Sequence, residues 1–216
     1  MLAGVEVDLV VTERQRRLGL AAVALACFAL LTVLVRQHAT RLAGLDAQWH
    51  AAMRDYGLAH PAWVSVMHAI THVGDTVTVA LVDATVVVVA LVKRRYRIAA
   101  FAGITGVLTW TIRVALRDVV GRPRPDDGFW PAEGLAFPSG HTTNSAAMTI
   151  IVVVAAWPYL GRRWRPVVVT VAAAVPLLVG LSRVAGGVHW PSDVLGGLLL
   201  AVATTTTVAA LILQRD

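Results

Sequence analysis

The chain contains a single cysteine, Cys27, so no disulfide can close within it. Its cysteine and histidines nowhere fall at the spacing of a zinc site. Charge is scarce too. Asp, Glu, Lys and Arg make up 15% of the residues, where a soluble domain carries about a quarter. Internal repeats and low-complexity tails are missing, which removes solenoids and disordered linkers from consideration.

Apolar residues are what the chain has in excess: 57% of it is hydrophobic and the mean hydropathy is +0.68, the signature of a membrane protein. The length suits one domain, residues 1–216. The formal charge is +6, but the basic residues sit in short clusters between apolar runs. That placement suits lipid headgroups and topology control and speaks against nucleic acid as a partner. Cys27 falls inside the first apolar run and reads as lipid-facing filler.

A spanning helix needs about 20 mostly apolar residues. Six stretches qualify, roughly 18–36, 74–92, 98–118, 141–160, 166–183 and 190–212, which predicts an all-α bundle of six transmembrane helices. The first run is too long for a signal-peptide core, and no small-residue cleavage site follows it. Residues 37–73 are too polar to span and predict short interfacial helices, with Trp49, Tyr56 and Trp63 at headgroup level. Four threonines, Thr204 to Thr207, fall in the last helix, where their hydroxyls can bond back to helix carbonyls. The clusters Arg14/Arg16/Arg17, Lys93/Arg94/Arg95/Arg97 and Arg162/Arg163/Arg165, with Arg215, all fall on one side of a six-span bundle. The positive-inside rule makes that side cytoplasmic.

Three polar stretches interrupt the apolar pattern: "RDVVGRPRP" from Arg117 to Pro125, "PSGH" from Pro138 to His141, and "SRVAGGVHWPSD" from Ser182 to Asp193. In the six-span arrangement all three emerge on the opposite, extracytoplasmic face. Their chemistry suits phosphoryl transfer. Arginine's planar fork matches phosphate oxygens, and Arg117, Arg124 and Arg183 can supply it. Ser139-Gly140-His141 at a helix start makes an anion cradle that carries a proton donor. His189 and Asp193 are four apart and share a helical face, so the carboxylate can hold one imidazole nitrogen while the other attacks phosphorus. His141 then serves as general acid for the leaving oxygen.

These residues resemble the PAP2 (type 2 phosphatidic acid phosphatase) superfamily, which shares its core with vanadium haloperoxidases. The family pattern is Lys-x6-Arg-Pro, Pro-Ser-Gly-His, then Ser-Arg-x5-His-x3-Asp. Here Arg117-x6-Arg124-Pro125, Pro138-Ser139-Gly140-His141 and Ser182-Arg183-x5-His189-x3-Asp193 fill the three places, with arginine at 117 where the family usually has lysine. The motif-bearing core is 117–193. The resemblance implies His189 as a nucleophile forming a phosphohistidine, Asp193 as its orienter and His141 as the proton donor. It implies phosphate binding by Arg117, Arg124, Arg183, Ser139 and the Gly140 amide, and catalysis without a metal or other cofactor. A site rich in cations and poor in carboxylates agrees with the last point.

The expected function is a membrane lipid phosphatase with a phosphorylated lipid as its partner, working at the outer face of a bacterial plasma membrane. Undecaprenyl pyrophosphate leads the substrates. Phosphatidic acid, phosphatidylglycerophosphate and a polyprenyl phosphosugar are alternatives, as is phosphotransfer to an acceptor hydroxyl. A non-enzymatic lipid-binding or lipid-moving protein is the rival from another class, and intact His141, His189 and Asp193 argue against it. Outside the motifs, His68 and His72 read as interfacial residues near the site mouth rather than metal ligands, and Asp126, Asp127 and Glu133 as a solvated loop with a possible lid role. Asp83 and Arg113, both inside apolar runs, are expected to pair, because isolated charges are costly there.

Overall fold

The computed structural model describes residues 2–213, with side chains from residue 13 onward. Arg215, counted above with the cytoplasmic basic residues, lies outside the described residues. The helices in chain order are α1 (Leu2–Arg36), α2 (Thr40–Ala59), α3 (Pro61–Thr71), α4 (Thr76–Val92), α5 (Tyr96–Val120), α6 (Gly140–Ala156), α7 (Arg165–Ala185) and α8 (Pro191–Ile212). Short 3-10 turns, His72–Gly74 and Trp157–Tyr159, follow α3 and α6. The described residues contain no strand, as expected.

Local chemistry sets the helix ends. α3, α7 and α8 each carry proline in their first turn, where the missing N–H has no partner to lose. Gly121 closes α5 at φ +68°, its N–H bonding to the Arg117 carbonyl, and the chain leaves the helix for the arginine-proline loop.

Four helical stretches are long and apolar enough to cross a membrane: Glu13–Arg36, Tyr96–Val120, Arg165–Ala185 and Pro191–Ile212. α3 with its 3-10 turn and α4 pass together as a pair bent by 41°. α4 and α6 are each 17 residues, shorter than the roughly 20 that a full span needs. Of the six spans the sequence predicts, four stand as single helices, the second passes only with α3 as the bent pair, and the fourth is overestimated. The first turns of α6 are Thr142, Thr143, Asn144 and Ser145, all buried and polar, and belong to the site rather than to lipid. The protein is a multi-pass membrane protein.

Large apolar side chains such as Leu20, Val23, Leu30, Val77 and Val107 point outward, as suits a lipid-facing surface. The interior is small and hydroxylated. α8 runs through it, packed against α1, α5, α6 and α7. Gly196 and Gly197 make this possible: a Cβ at Gly196 would lie 2.6 Å from the Phe137 ring, and one at Gly197 would lie 2.9 Å from the Ser139 carbonyl. Close approach at small residues is how membrane helices associate without a hydrophobic driving force. The Thr109 and Thr204 hydroxyls bond at 2.9 Å across α5 and α8, and Thr204 to Thr207 each donate to the carbonyl four residues back, as the sequence suggests. Phe137 is fully buried, stacked on Phe28 with ring centroids 5.8 Å apart, which pins the Pro138–His141 turn to the bundle.

The basic clusters gather at one end. Arg17 donates to the Ala209 and Leu213 carbonyls, and the Lys93 and Arg95 heads lie over the Tyr159 ring. The three motifs gather at the other end, roofed by α2 and α3. Trp49 and Tyr56 are exposed there, whereas the Trp63 indole nitrogen is buried.

Candidate active site

His189 lies between α7 and α8, 2% exposed. Its Nδ1 is 3.3 Å from Asp193 Oδ2 on α8, and its Nε2 is 2.9 Å from Arg124 Nη1. A guanidinium can only donate hydrogen bonds, so Nε2 is the acceptor and carries a lone pair. The proton therefore sits on Nδ1, which donates to Asp193. Burial pushes the His189 pKa down to about 4, helped by the charges of Arg124 and Arg183 and opposed by Asp193, so the ring is neutral near pH 7. Arg124 is held by the Gly134 carbonyl at 3.1 Å and the Val188 carbonyl at 2.6 Å.

Asp193 is fully buried and oriented from three sides. The Trp190 N–H donates to Oδ2 at 2.8 Å and Arg122 Nη1 donates to Oδ1 at 2.7 Å, beside the His189 contact. The other arm of Arg122 reaches Asp46 Oδ2 on α2 at 2.6 Å, and Asp46 also accepts from the Ser192 N–H and hydroxyl. This buried network was not legible in the sequence. Arg122 stands inside "RPRP" beside the motif arginine, and Asp46 lies some seventy residues upstream in a segment assigned to the interface.

His141 opens α6, and its Nε2 donates to Asp75 Oδ1 at 2.9 Å. Asp75 Oδ2 accepts from His72 Nδ1 at 2.8 Å. Burial works to raise the Asp75 pKa, but the hydrogen bonds and charges of His72 and His141 outweigh it and hold the carboxyl below the usual carboxylate range. Asp75 thus grips one imidazole nitrogen of His141 as Asp193 grips one of His189. No motif marks Asp75, which sits in the break before α4.

The remaining expected residues converge here as well. Arg183 is 8% exposed, donates to Thr71 at 3.0 Å and lies under the Trp130 ring, 5.7 Å from its centroid. Its charge acts on His141 and on His189 alike, so the two imidazoles and Arg183 face one space. Ser139 is buried, its N–H bonded to the Asp193 carbonyl at 3.0 Å and its hydroxyl accepting from Thr142 at 3.1 Å. Arg117 approaches Gly134, where a Cβ would lie 3.4 Å from Nη1, and its nearest carboxylate is the exposed Asp118 at 3.6 Å. The Nε atoms of Arg113, Arg117 and Arg183 are buried and have no hydrogen-bond partner.

Two secondary expectations resolve differently. Asp83 and Arg113 do not pair among the described residues. Asp83 faces Gly106 of α5, and Arg113, seven residues or about 10 Å further along that helix, turns toward Gly140. His68 and His72 do stand together, ring centroids 5.0 Å apart, and no metal-holding cluster forms among the described residues. The acidic loop is tied down at one point. Asp127 bonds His50 at 2.6 Å and Arg54 at 2.8 Å on α2, which hold its carboxyl below its usual pKa.

The sequence and the fold have counterparts in known proteins. The family model for the PAP2 superfamily matches residues 96–216. A decaprenylphosphoryl-5-phosphoribose phosphatase from Mycobacterium tuberculosis is 31% identical over 166 residues, 70% of this chain and 80% of that one. The undecaprenyl-diphosphatase BcrC of Bacillus subtilis is 34% identical over 110 residues, 47% of this chain and 51% of that one. The chain spans about half the length of the first curated relatives it matches. The crystal structure of a transmembrane PAP2 type phosphatidylglycerolphosphate phosphatase from Bacillus subtilis superposes with a TM-score of 0.80 at 23% identity, covering 91% of this chain and 98% of that one. The family match over more than half the chain settles membership: this protein belongs to the PAP2 superfamily.

Proposed function

We propose that this protein is a lipid phosphatase that hydrolyses a phosphomonoester or diphosphate of a membrane lipid, polyprenyl diphosphate foremost, at the extracytoplasmic face of a bacterial plasma membrane. One observation carries the reading. The lone pair of His189 Nε2, with the Nδ1 proton held by Asp193, points at the Arg124 guanidinium, and Arg183, whose buried Nε lacks a partner, lies near enough for its charge to act on the ring. That is a nucleophile set in a cradle for one tetrahedral anion.

The chemistry follows from the residues. Phosphate oxygens take the donors of Arg117, Arg124, Arg183, Ser139 and the Gly140 amide, and Arg124 turns from His189 toward the substrate. Nε2 attacks phosphorus, forming the P–N bond as the P–O bond to the leaving group breaks. The departing oxygen keeps the bond's electron pair and takes a proton from His141, whose other nitrogen Asp75 holds. Asp193 stabilises the positive charge that develops on His189. Water, deprotonated by His141, then cleaves the phosphohistidine and frees orthophosphate. No metal enters the scheme.

A groove of about 600 Å³ between α4 and α5 suits the lipid tail. It runs from Val88 and Gly103 up to Thr76 and Asn144, one turn from His141, so the lipid need not leave the bilayer. Six crossings, with α4 and α6 completing the set, leave the basic clusters cytoplasmic and the site outside. BcrC supports the diphosphate reading by its name. The wider match to the decaprenylphosphoryl-5-phosphoribose phosphatase favours a polyprenyl phosphosugar as the second reading.

The test is phosphate release by purified protein in EDTA, from polyprenyl diphosphate, polyprenyl phosphosugar, phosphatidic acid and phosphatidylglycerophosphate. Activity is expected without added metal, inhibited by vanadate and lost in His189→Ala and His141→Ala. Full activity in His189→Ala removes the proposed nucleophile.

A further inference from the structure

Arg113 belongs to none of the three motifs, yet it stands at the cradle. A Cβ at Gly140 would lie 2.9 Å from its Nη1, so the guanidinium is pressed against the backbone beside His141. Its Nε is buried without a partner, and no carboxylate pairs with it among the described residues. Arg117, four residues on, faces the same way and repels it. Such i,i+4 like-charge pairs destabilise a helix, the more so near the bilayer, so an anion must offset the cost when the site is in use.

The order along α5 says which anion. Gly103, Gly106, Val107 and Trp110 line the tail groove. Arg113 and Arg117 continue the same stripe at helical spacing, toward the site end. A lipid lying in the groove thus meets Arg113 before Arg117, and the phosphorus that His189 attacks lies beyond Arg113. A monoester places an uncharged alcohol oxygen beside Arg113. A diphosphate places its lipid-proximal phosphate there, the group that leaves as a lipid monophosphate.

We propose that Arg113 is a specificity-determining residue that binds the lipid-proximal phosphate of a lipid diphosphate, and so selects diphosphates over monoesters at this site. This inference rests on the phosphatase reading above. When the bond between the terminal phosphorus and the bridging oxygen breaks, negative charge grows on that oxygen. Arg113 stabilises it while His141 supplies the proton.

The experiment compares full-length wild type, Arg113→Gln and Arg113→Lys in detergent, on geranylgeranyl diphosphate, geranylgeranyl monophosphate and a lipid whose second phosphate is separated by a sugar. Arg113→Gln is expected to lower kcat/KM for the diphosphate roughly 10- to 100-fold more than for the monophosphate, with partial recovery in Arg113→Lys. Equal losses on the two overturn the proposal, as does a loss confined to the sugar-spaced substrate. Wild type gives a second readout that needs no variant: imidodiphosphate should compete with the monophosphate substrate more tightly than orthophosphate does, and equal competition overturns the proposal. Wild type inactive on all three lipids is instead the failure of the phosphatase reading, and Arg113's assignment falls with it; Arg113-sensitive hydrolysis that survives His189→Ala removes the proposed nucleophile and leaves Arg113's assignment standing.

Discussion

Arg122→Met is the most informative perturbation of the scaffold. Arg122 is 12% exposed and lies between Asp46 and Asp193, whose side chains are 3% and 0% exposed. Removing it leaves two buried carboxylates facing each other with no cation between them. Ser192 still serves Asp46, and the Trp190 N–H and His189 still serve Asp193, so the loss stays near that of one broken buried pair, about 3–5 kcal/mol. For a chain of this size that lowers the melting temperature by roughly 6–20 °C. Asp46→Asn should cost less, because the Arg122–Asp193 bond survives. The double variant should be at least about 1 kcal/mol more stable than the sum of the single effects, because it strands only one carboxylate. Catalysis is expected to fall roughly 100-fold in kcat with little change in KM, since Asp193 loses the contact that aims it at His189. Thermal unfolding followed by tryptophan fluorescence, together with phosphate release, checks both. A variant with wild-type melting and kcat would refute the claim that this network holds the orienting carboxylate.

Two further outcomes follow from the imidazoles. Because burial drives the His189 pKa to about 4, below its unfolded value near 6.5, the unfolded chain binds the extra proton between those values. Stability from this group is fully present above pH 6.5, declines as pH falls and is lost by pH 4, about 3 kcal/mol in all. Nitrogen NMR of labelled histidines, assigned by His189→Gln, should show His189 neutral and protonated on Nδ1 at pH 5; titration near pH 6.5 would contradict its burial. Asp75→Asn should lower turnover at least roughly tenfold on alkyl phosphates but much less on p-nitrophenyl phosphate, whose leaving group needs no proton. Equal losses on the two would deny that Asp75 acts through His141.

The sequence by itself determined the helical membrane character and the residues that meet at the site. Apolar runs are long because a bilayer leaves backbone groups no partner but their own helix, so length and composition suffice to find them. The proposed catalytic residues were legible because helical spacing ties His189 to Asp193 and places Ser139 at a helix start, where local geometry decides. Contacts between distant segments leave no periodic trace. Asp46 and Arg122 became part of the site only when α2 and the loop after α5 packed against α8, and Asp75 only when the break before α4 packed against α6. Arg113 shows the limit most clearly. Within an apolar run the cost of an isolated charge predicts a partner but not which one, and only the packing of α5 against α6 sets Arg113 against Gly140 rather than Asp83.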